Sequence, residues 1–333
     1  MRNPAVSIII PVYNASNYIE RCAHSLFRQT FDDIEYVFVN DCTTDDSIEK
    51  LQKVAEQYPH RKERIKIVSR EKNGGVSASR QTGVDNSTGN YILFVDNDDW
   101  IKPEMVETMY NKAKSEKADV VICDFIIEKN TDNEYCCGYI SANKEDYLYD
   151  MVENKAYNAY LWNKLIDRRF FDLSDCRFNE NLLIVDDWFA LIRIYYYIEK
   201  CVKIDEAFYH YNRQNPSAQT APRTTSKTSA QCENTILFYE LIENFLKGKG
   251  VYEKHIDIIE RLKVESKIDL LTQVFDIKTR KKYAYLYRDI EMKYIKNFRR
   301  GERIILFLTR YGFHSLAHLT LLLIIFKNRN NSK

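Results

Sequence analysis

Tyr91-Ile-Leu-Phe-Val95 is a run of apolar and β-favouring residues with no polar alternation. Such a run reads as a strand buried on both faces, of the kind found in parallel sheets. It leads straight into three carboxylates within four positions, Asp96, Asp98 and Asp99. Val6-Ser-Ile-Ile-Ile10 begins as a second apolar run and stops at Pro11, which a strand end tolerates because the missing N–H is not needed there. Ile34 to Asp41 is a third run, again ending in a carboxylate, and Ile65 to Ser69 a short fourth. Helical spacing fills the gaps. Asn17 to Gln29 places Ile19, Cys22, Ala23, Leu26 and Phe27 on one side, and Thr43-Thr-Asp-Asp-Ser47 supplies capping residue types for a helix over 47–58. Asn73-Gly-Gly turns into a third helix. Strand followed by helix, repeated up to the acidic strand end, predicts a parallel, nucleotide-binding type of α/β half.

A helix is expected after Pro103, a strand over 118–127, a helix from Asp186 and a last strand over 208–213. Residues 128–155 carry a weak pattern, read as loops broken by one helix. Residues 162–171 form a polar–aromatic insert with no assigned secondary structure. Asn215 to Ser229 is rich in Ser, Thr and Pro and reads as a loop, after which 230–328 is helical by periodicity. The expected organisation is an α/β domain over 1–215, a linker over 216–230 and a helical region over 231–333.

Charge changes this picture in one place. The net charge is +1 over 333 residues, but 276–333 holds fourteen Lys and Arg against four Asp and Glu. That segment is expected to meet an anionic surface. Ile304 to Phe326 is rich in Leu, Ile and Phe but interrupted by Arg310, His314 and His318, and its unbroken apolar part is too short to span a bilayer. A basic amphipathic helix lying in the membrane interface and a helix packed on the protein or in a homodimer both fit. The eight cysteines show neither a zinc pattern nor a disulfide framework, and reduced thiols are expected. Met1-Arg-Asn-Pro runs directly into a strand without a secretion signal, so the expected location is cytoplasmic, with the inner face of the membrane as its edge.

Open α/β sheets bind ligands at the carboxyl ends of their strands. Tyr13/Asn14, Asn40/Asp41 and Asp96/Asp98 would therefore converge on one crevice. Carboxylates this close repel unless a cation lies among them, and hard oxygen ligands suit Mg²⁺ or Mn²⁺. Asp41 is placed to accept a hydrogen bond from a base or ribose, and Asn73-Gly-Gly with Arg80 offers backbone freedom and a guanidinium for an anion. The Gly-x-Gly-x-x-Gly turn of dinucleotide enzymes and the phosphate-binding loop are both missing. Nothing suggests nucleic acid as a partner.

Ser7-Ile-Ile-Ile-Pro-Val-Tyr-Asn14, Asn40-Asp-Cys-Thr-Thr-Asp-Asp-Ser47, Asn73-Gly-Gly-Val-Ser-Ala-Ser-Arg80 and Phe94-Val-Asp-Asn-Asp-Asp-Trp100 resemble successive blocks of the family 2 glycosyltransferases. Trp162-Asn-Lys-Leu165 and Asp186-Asp-Trp-Phe189 resemble the later blocks, in order, so the likeness covers about residues 5–215. It implies a GT-A fold, a nucleotide-sugar donor, Mn²⁺ or Mg²⁺, inversion at the anomeric carbon, and a glycan or lipid-linked glycan acceptor in bacterial polysaccharide synthesis. Carried over by position, Pro11, Tyr13, Asn14, Asp41, Asn73, Gly75, Arg80, Asp96 and Asn97 fall on the donor side. Asp98, with Asp96, matches the metal-binding Asp-x-Asp, and Asp187 the general base. Asp186 stands where the family usually has Glu, and Gln81 where it usually has Asn. A UDP-sugar fits the pattern, with GDP- and dTDP-sugars as alternatives.

Two other classes share these residues. A metal-dependent nucleotidyltransferase would release free diphosphate, and a non-catalytic membrane-docked module would tolerate Asp187→Asn. Trp100, Trp162 and Trp188 could stack on sugar rings or belong to the core. His210 could reach the diphosphate or simply pack.

Overall fold

The apolar runs form strands whose carboxyl ends share one edge. In the computed structural model, which describes residues 3–153, 159–182, 185–216, 229–273 and 277–331, the chain divides into two compact units, Met1–Pro222 and Arg223–Lys333. In the first unit Val6–Val12 (β1), Ile34–Asn40 (β2), Ile65–Ser69 (β3) and Tyr91–Phe94 (β4) pair in parallel in the order β3-β2-β1-β4. Val12 lies opposite Asn40 and Ile9 opposite Phe94, so Asn14, Asp41 and Asp96 emerge at the same edge. β1 and β4 are buried along their whole length, which is why their sequences lack alternation.

The second half of the sheet departs from the mainly parallel expectation. Trp100–Ile101 (β5), Val120–Glu128 (β6), Glu134–Cys136 (β7), Lys164–Asp167 (β8) and Cys201–Asn212 (β9) continue it as β4-β8-β6-β9-β5, with β7 on β6. Only β6–β9 is parallel there; β4–β8, β6–β8, β6–β7 and β5–β9 are antiparallel. The direction of these strands was not readable from sequence, because a buried strand has the same residue pattern in either direction and the connections set its partner. β8 falls in the insert left without assignment, and β9 starts seven residues before the predicted strand.

Ile19–Phe27 (α1), Ser47–Glu56 (α2), Gly75–Asp85 (α3), Met105–Glu116 (α4), Tyr147–Glu153 (α5) and Asp186–Tyr197 (α6) flank the sheet. The buried face of α1 is the predicted one, Ile19, Cys22, Ala23, Leu26 and Phe27. Trp162 is core: its ring lies 4.3 Å from that of Tyr209 and 4.7 Å from that of Tyr160, both stacked. Trp188 is also buried, its indole N–H donating to the Met151 carbonyl at 3.0 Å. Neither is free to stack on a sugar.

The second unit is helical, comprising Ser229–Gly248 (α7), Tyr252–Gln273 (α8), Ile277–Tyr283 (α9), Glu291–Tyr294 (α10), Arg300–Arg310 (α11) and His314–Asn331 (α12). Val264, Ile268, Leu271, Phe298, Ile305, Leu306 and Leu321 form its core. Lys267 and Glu291 are fully buried as an ion pair that Arg310 joins at 2.5 Å. Among the described residues no helix is long and apolar enough to cross a membrane. Most of the expected 216–230 linker lies outside the described residues.

Candidate active site

The loop after β4 is fixed by groups from β9. The backbone N–H of Asp96 donates to the Tyr209 hydroxyl at 3.1 Å, and that hydroxyl donates to Asp99 Oδ2 at 2.6 Å. The Asn212 N–H donates to Asp99 Oδ1 at 2.7 Å. Asp99 is fully buried, and burial together with Asp98 and Asp96 pushes its carboxyl well above the usual range. It therefore points into the fold and does not join the other two carboxylates at the crevice. Asn97 donates its side-chain amide to the Pro11 carbonyl at 2.8 Å, so these two candidates fasten the loop to β1.

Asp98 accepts from the Asn215 amide at 2.7 Å, and its carbonyl accepts from Arg21 at 3.1 Å and Asn212 at 3.2 Å. Burial and the neighbouring Asp96 raise its carboxyl pKa. The Arg21 guanidinium lies 3.6 Å over the Trp100 ring, which stacks on His210 at 5.1 Å, and His210 Nδ1 is 2.8 Å from Glu128. Trp100 and His210 thus form a column beside the loop, with His210 committed to Glu128. Among the described residues no three His, Cys, Asp or Glu side chains cluster as a metal cage. Two crowded, negatively charged carboxylates fit a divalent cation that takes its remaining ligands from substrate oxygens.

The β1 and β2 loops lock together. Asn14 adopts a left-handed backbone (φ 47°), its N–H donates to Thr43 Oγ1 at 2.8 Å, and its Oδ1 accepts from the Thr44 N–H at 3.2 Å. Tyr13 beside it is 46% exposed. Asp41 is buried, and its carboxylate accepts the N–H groups of Gly74 at 3.0 Å and Gly75 at 2.8 Å at the start of α3, with Arg70 Nε at 3.4 Å. An anion stabilises a helix N-terminus. The Asn73 amide donates to the Asp41 carbonyl at 3.1 Å, and Gly75 takes φ +80°, which favours glycine. Asp41, Asn73 and Gly75 therefore come together as one capped turn. Thr43 and Thr44, expected only as helix-capping residues, also tie the two loops together, and Arg70, directly after β3, is a contact of Asp41 that the sequence motifs did not single out.

Arg80 connects the two carboxylate motifs. Its Nη1 donates to Asp186 Oδ2 at 2.7 Å and its Nη2 to Asp96 Oδ1 at 3.2 Å. Burial opposes its charge, but Asp186, Asp96 and Asp187 outweigh burial and raise its pKa. The expected anion-binding arginine is thus occupied by protein carboxylates. Val185 precedes α6 at φ 58°, a strained conformation for a β-branched residue, and it sets the entry of Asp186 and Asp187. Asp187 is half-buried, and its carboxyl is pushed up to about 7, chiefly by burial and then by the charge of Asp186, with Arg80 opposing. A carboxyl titrating there can take a proton at neutral pH. Lys164, within the Trp162–Leu165 block, is fully buried, donating to the Tyr160 carbonyl at 2.6 Å and Asn163 Oδ1 at 2.8 Å, and burial lowers its pKa to about 7.

The family model described as Glycosyl transferase family 2 matches residues 7–197. A Bacillus subtilis (strain 168) protein named "Uncharacterized glycosyltransferase EpsJ" is 32% identical over 246 residues, covering 71% of this chain and 70% of its own length. Among solved structures, Staphylococcus aureus TarS 1–349 in complex with UDP-GlcNAc superposes with a TM-score of 0.62 at 19% identity, covering 95% of this chain and 90% of TarS 1–349. A Pyrobaculum calidifontis mannosyltransferase in complex with GDP-Man and Mn²⁺ superposes at 0.54 and 13% identity, covering 96% of this chain and 88% of its own. These structural likenesses establish a GT-A fold.

Proposed function

Because the chain belongs to glycosyl transferase family 2, and is a glycosyltransferase, we propose that it moves a sugar with inversion from a UDP-sugar to a hydroxyl of a glycan or lipid-linked glycan during assembly of a bacterial polysaccharide. One observation carries the reading. Arg80 ties Asp96, on the Asp-x-Asp loop, to Asp186, which adjoins Asp187, so the donor-side and base-side carboxylates belong to one site.

In this reading Asp187 accepts the proton of the acceptor hydroxyl, whose oxygen bonds to the anomeric carbon. The bond from that carbon to the nucleoside diphosphate breaks on the opposite face, and the bonding pair leaves with the diphosphate. Asp186, held by Arg80, positions its neighbour. Asp41, Tyr13, Asn14 and the Asn73–Gly75 turn border the nucleoside end, with Pro11 and Asn97 fixing the loop between. Asp98 and Asp96 would hold Mn²⁺ or Mg²⁺, which when bound offsets negative charge on the departing diphosphate. The UDP-GlcNAc complex of TarS and the GDP-Man and Mn²⁺ complex of the mannosyltransferase support donor and cation class.

The test offers the full chain UDP-, GDP- and dTDP-sugars with Mn²⁺ or Mg²⁺ and polyprenyl-linked glycan acceptors, and identifies the phosphate product. Nucleoside diphosphate is expected, with inverted anomeric configuration by NMR. Asp187→Asn is expected to lower kcat by about 10²–10⁴-fold while nucleotide affinity stays unchanged. Free diphosphate as product, retained configuration or an active Asp187→Asn would each sink the reading.

A further inference from the structure

In the helical unit, α12 is apolar on two sides. Ala317 and Leu321 are buried, Leu321 in the cluster that includes Ile305 and Leu306 of α11. Leu316, Leu319 and Leu323, spaced to share a stripe of the helix, face outward, with Leu323 62% exposed. An ordinary surface helix is polar on its outer side; one that is apolar all round is covered by something. Further apolar residues are exposed on α11, Ile304 and Phe307, and in the connecting turn, Tyr311 and Phe313.

Charge identifies the cover. No Asp or Glu follows Glu302 in the chain, and Lys296, Arg299, Arg300 and Arg303 are exposed at the near end of α11. Aliphatic and aromatic side chains bordered by cations match a leaflet of anionic lipid, acyl chains beneath headgroups. A second copy of the chain fits worse, because a two-fold interface would set the same basic rim against itself. With no helix among the described residues able to span a bilayer, the fitting arrangement is in the plane of the interface.

We infer that α11 and α12 form a membrane-docking surface that inserts Phe307, Phe313, Leu316, Leu319 and Leu323 into the headgroup–acyl boundary of an anionic bilayer. Arg300 and Lys296 lie against its phosphates. This does not rest on the donor or the chemistry proposed above.

The full chain is sedimented with vesicles of phosphatidylglycerol in phosphatidylcholine, and with vesicles of phosphatidylcholine alone. Wild type is expected to partition onto the first and only weakly onto the second, with binding that falls as salt rises. Leu316→Ser with Leu319→Ser is expected to weaken binding by more than about tenfold. Lys296→Ser and Arg300→Ser should each weaken it by about fivefold on the anionic vesicles. All these variants should keep the wild-type melting temperature and nucleotide affinity, since the residues are exposed. Absence of binding to the anionic vesicles, or unchanged binding by the leucine variant, would overturn the inference. So would a dimer in sedimentation equilibrium that the leucine variant dissociates without affecting vesicle binding.

Discussion

Replacing Arg80 with methionine keeps an apolar stem and removes the guanidinium that Asp186 and Asp96 share. The two ends of the fork differ in burial. The Arg80 and Asp186 side chains are 6% and 5% exposed, so losing the cation strands a carboxylate away from water, at a cost of about 3–5 kcal/mol. The Asp96 side chain is 29% exposed, so water recovers most of that contact and the loss is about 1 kcal/mol or less. The expected total is about 4 kcal/mol, which in a unit of this size lowers the melting temperature by about 10 °C. Arg80→Lys keeps a charge but has one donor point instead of a fork, and should lose roughly half as much. Urea unfolding at pH 8 and pH 5 is the assay. The deficit of Arg80→Met should shrink at the lower pH, because protonation removes the stranded charge. A loss below about 1 kcal/mol at pH 8 would refute the reasoning, since it would mean that the fork is not a buried ion pair.

Asp187 titrates at about 7 in the folded protein against about 4 for an ordinary carboxyl. A raised acid leaves stability intact below pH 4 and reduces it as pH rises towards 7, so Asp187→Asn should gain on wild type at pH 8 and not at pH 4; equal stability across that range in urea unfolding would contradict the assignment. For turnover the sign is opposite: activity requires the ionised form, so kcat should fall as pH drops below about 7. Tyr209→Phe removes the hydroxyl that donates to Asp99 and accepts from the Asp96 N–H, and should cost about 2–3 kcal/mol in denaturant unfolding, with less than about 0.5 kcal/mol counting against it. Val185→Gly relieves the left-handed backbone and should leave stability unchanged or raised by about 1 kcal/mol while kcat falls, because Asp186 and Asp187 lose their fixed entry; a clear loss of stability would show that the strain is absent.

The donor-side half was legible because each of its elements carries a pattern of its own. α1 buries the side its spacing marks, β4 is an unbroken apolar run, and β1 and β2 are apolar except for Ser7, Glu35 and the terminal Asn40. In the other half, the short strands were hidden. β5 has two residues and β7 three, too few to show a period, and β8 is framed by Lys164 and Asp167, which disguise a buried strand as polar sequence. The positions of Asp96, Asp98, Asp186 and Asp187 were readable from their motifs. The Arg80 fork was not, because it joins residues 106 positions apart that no local pattern relates. Nor could spacing tell that Asp99 turns inward; that depends on Tyr209 and Asn212, which arrive from β9.

The position of β8 has a consequence for how the molecule is made. β1 covers one edge of β4, and the other edge waits for Lys164–Asp167, about seventy residues further along the chain. β6 likewise waits for that segment on one side and for Cys201–Asn212 on the other. Until both have emerged from the ribosome, the strand that carries the Asp-x-Asp loop is an open edge in the middle of the future sheet, and open apolar edges invite pairing with other chains. Distant partners also slow folding, because long loops must close first. The nascent chain is expected to complete β1, β2, β3 and β4 first, and then to carry a half-finished sheet through the synthesis of roughly a third of its length. Ribosome-bound chains cut short before residue 164 are expected to aggregate or recruit chaperones, whereas chains extending past residue 212 are not.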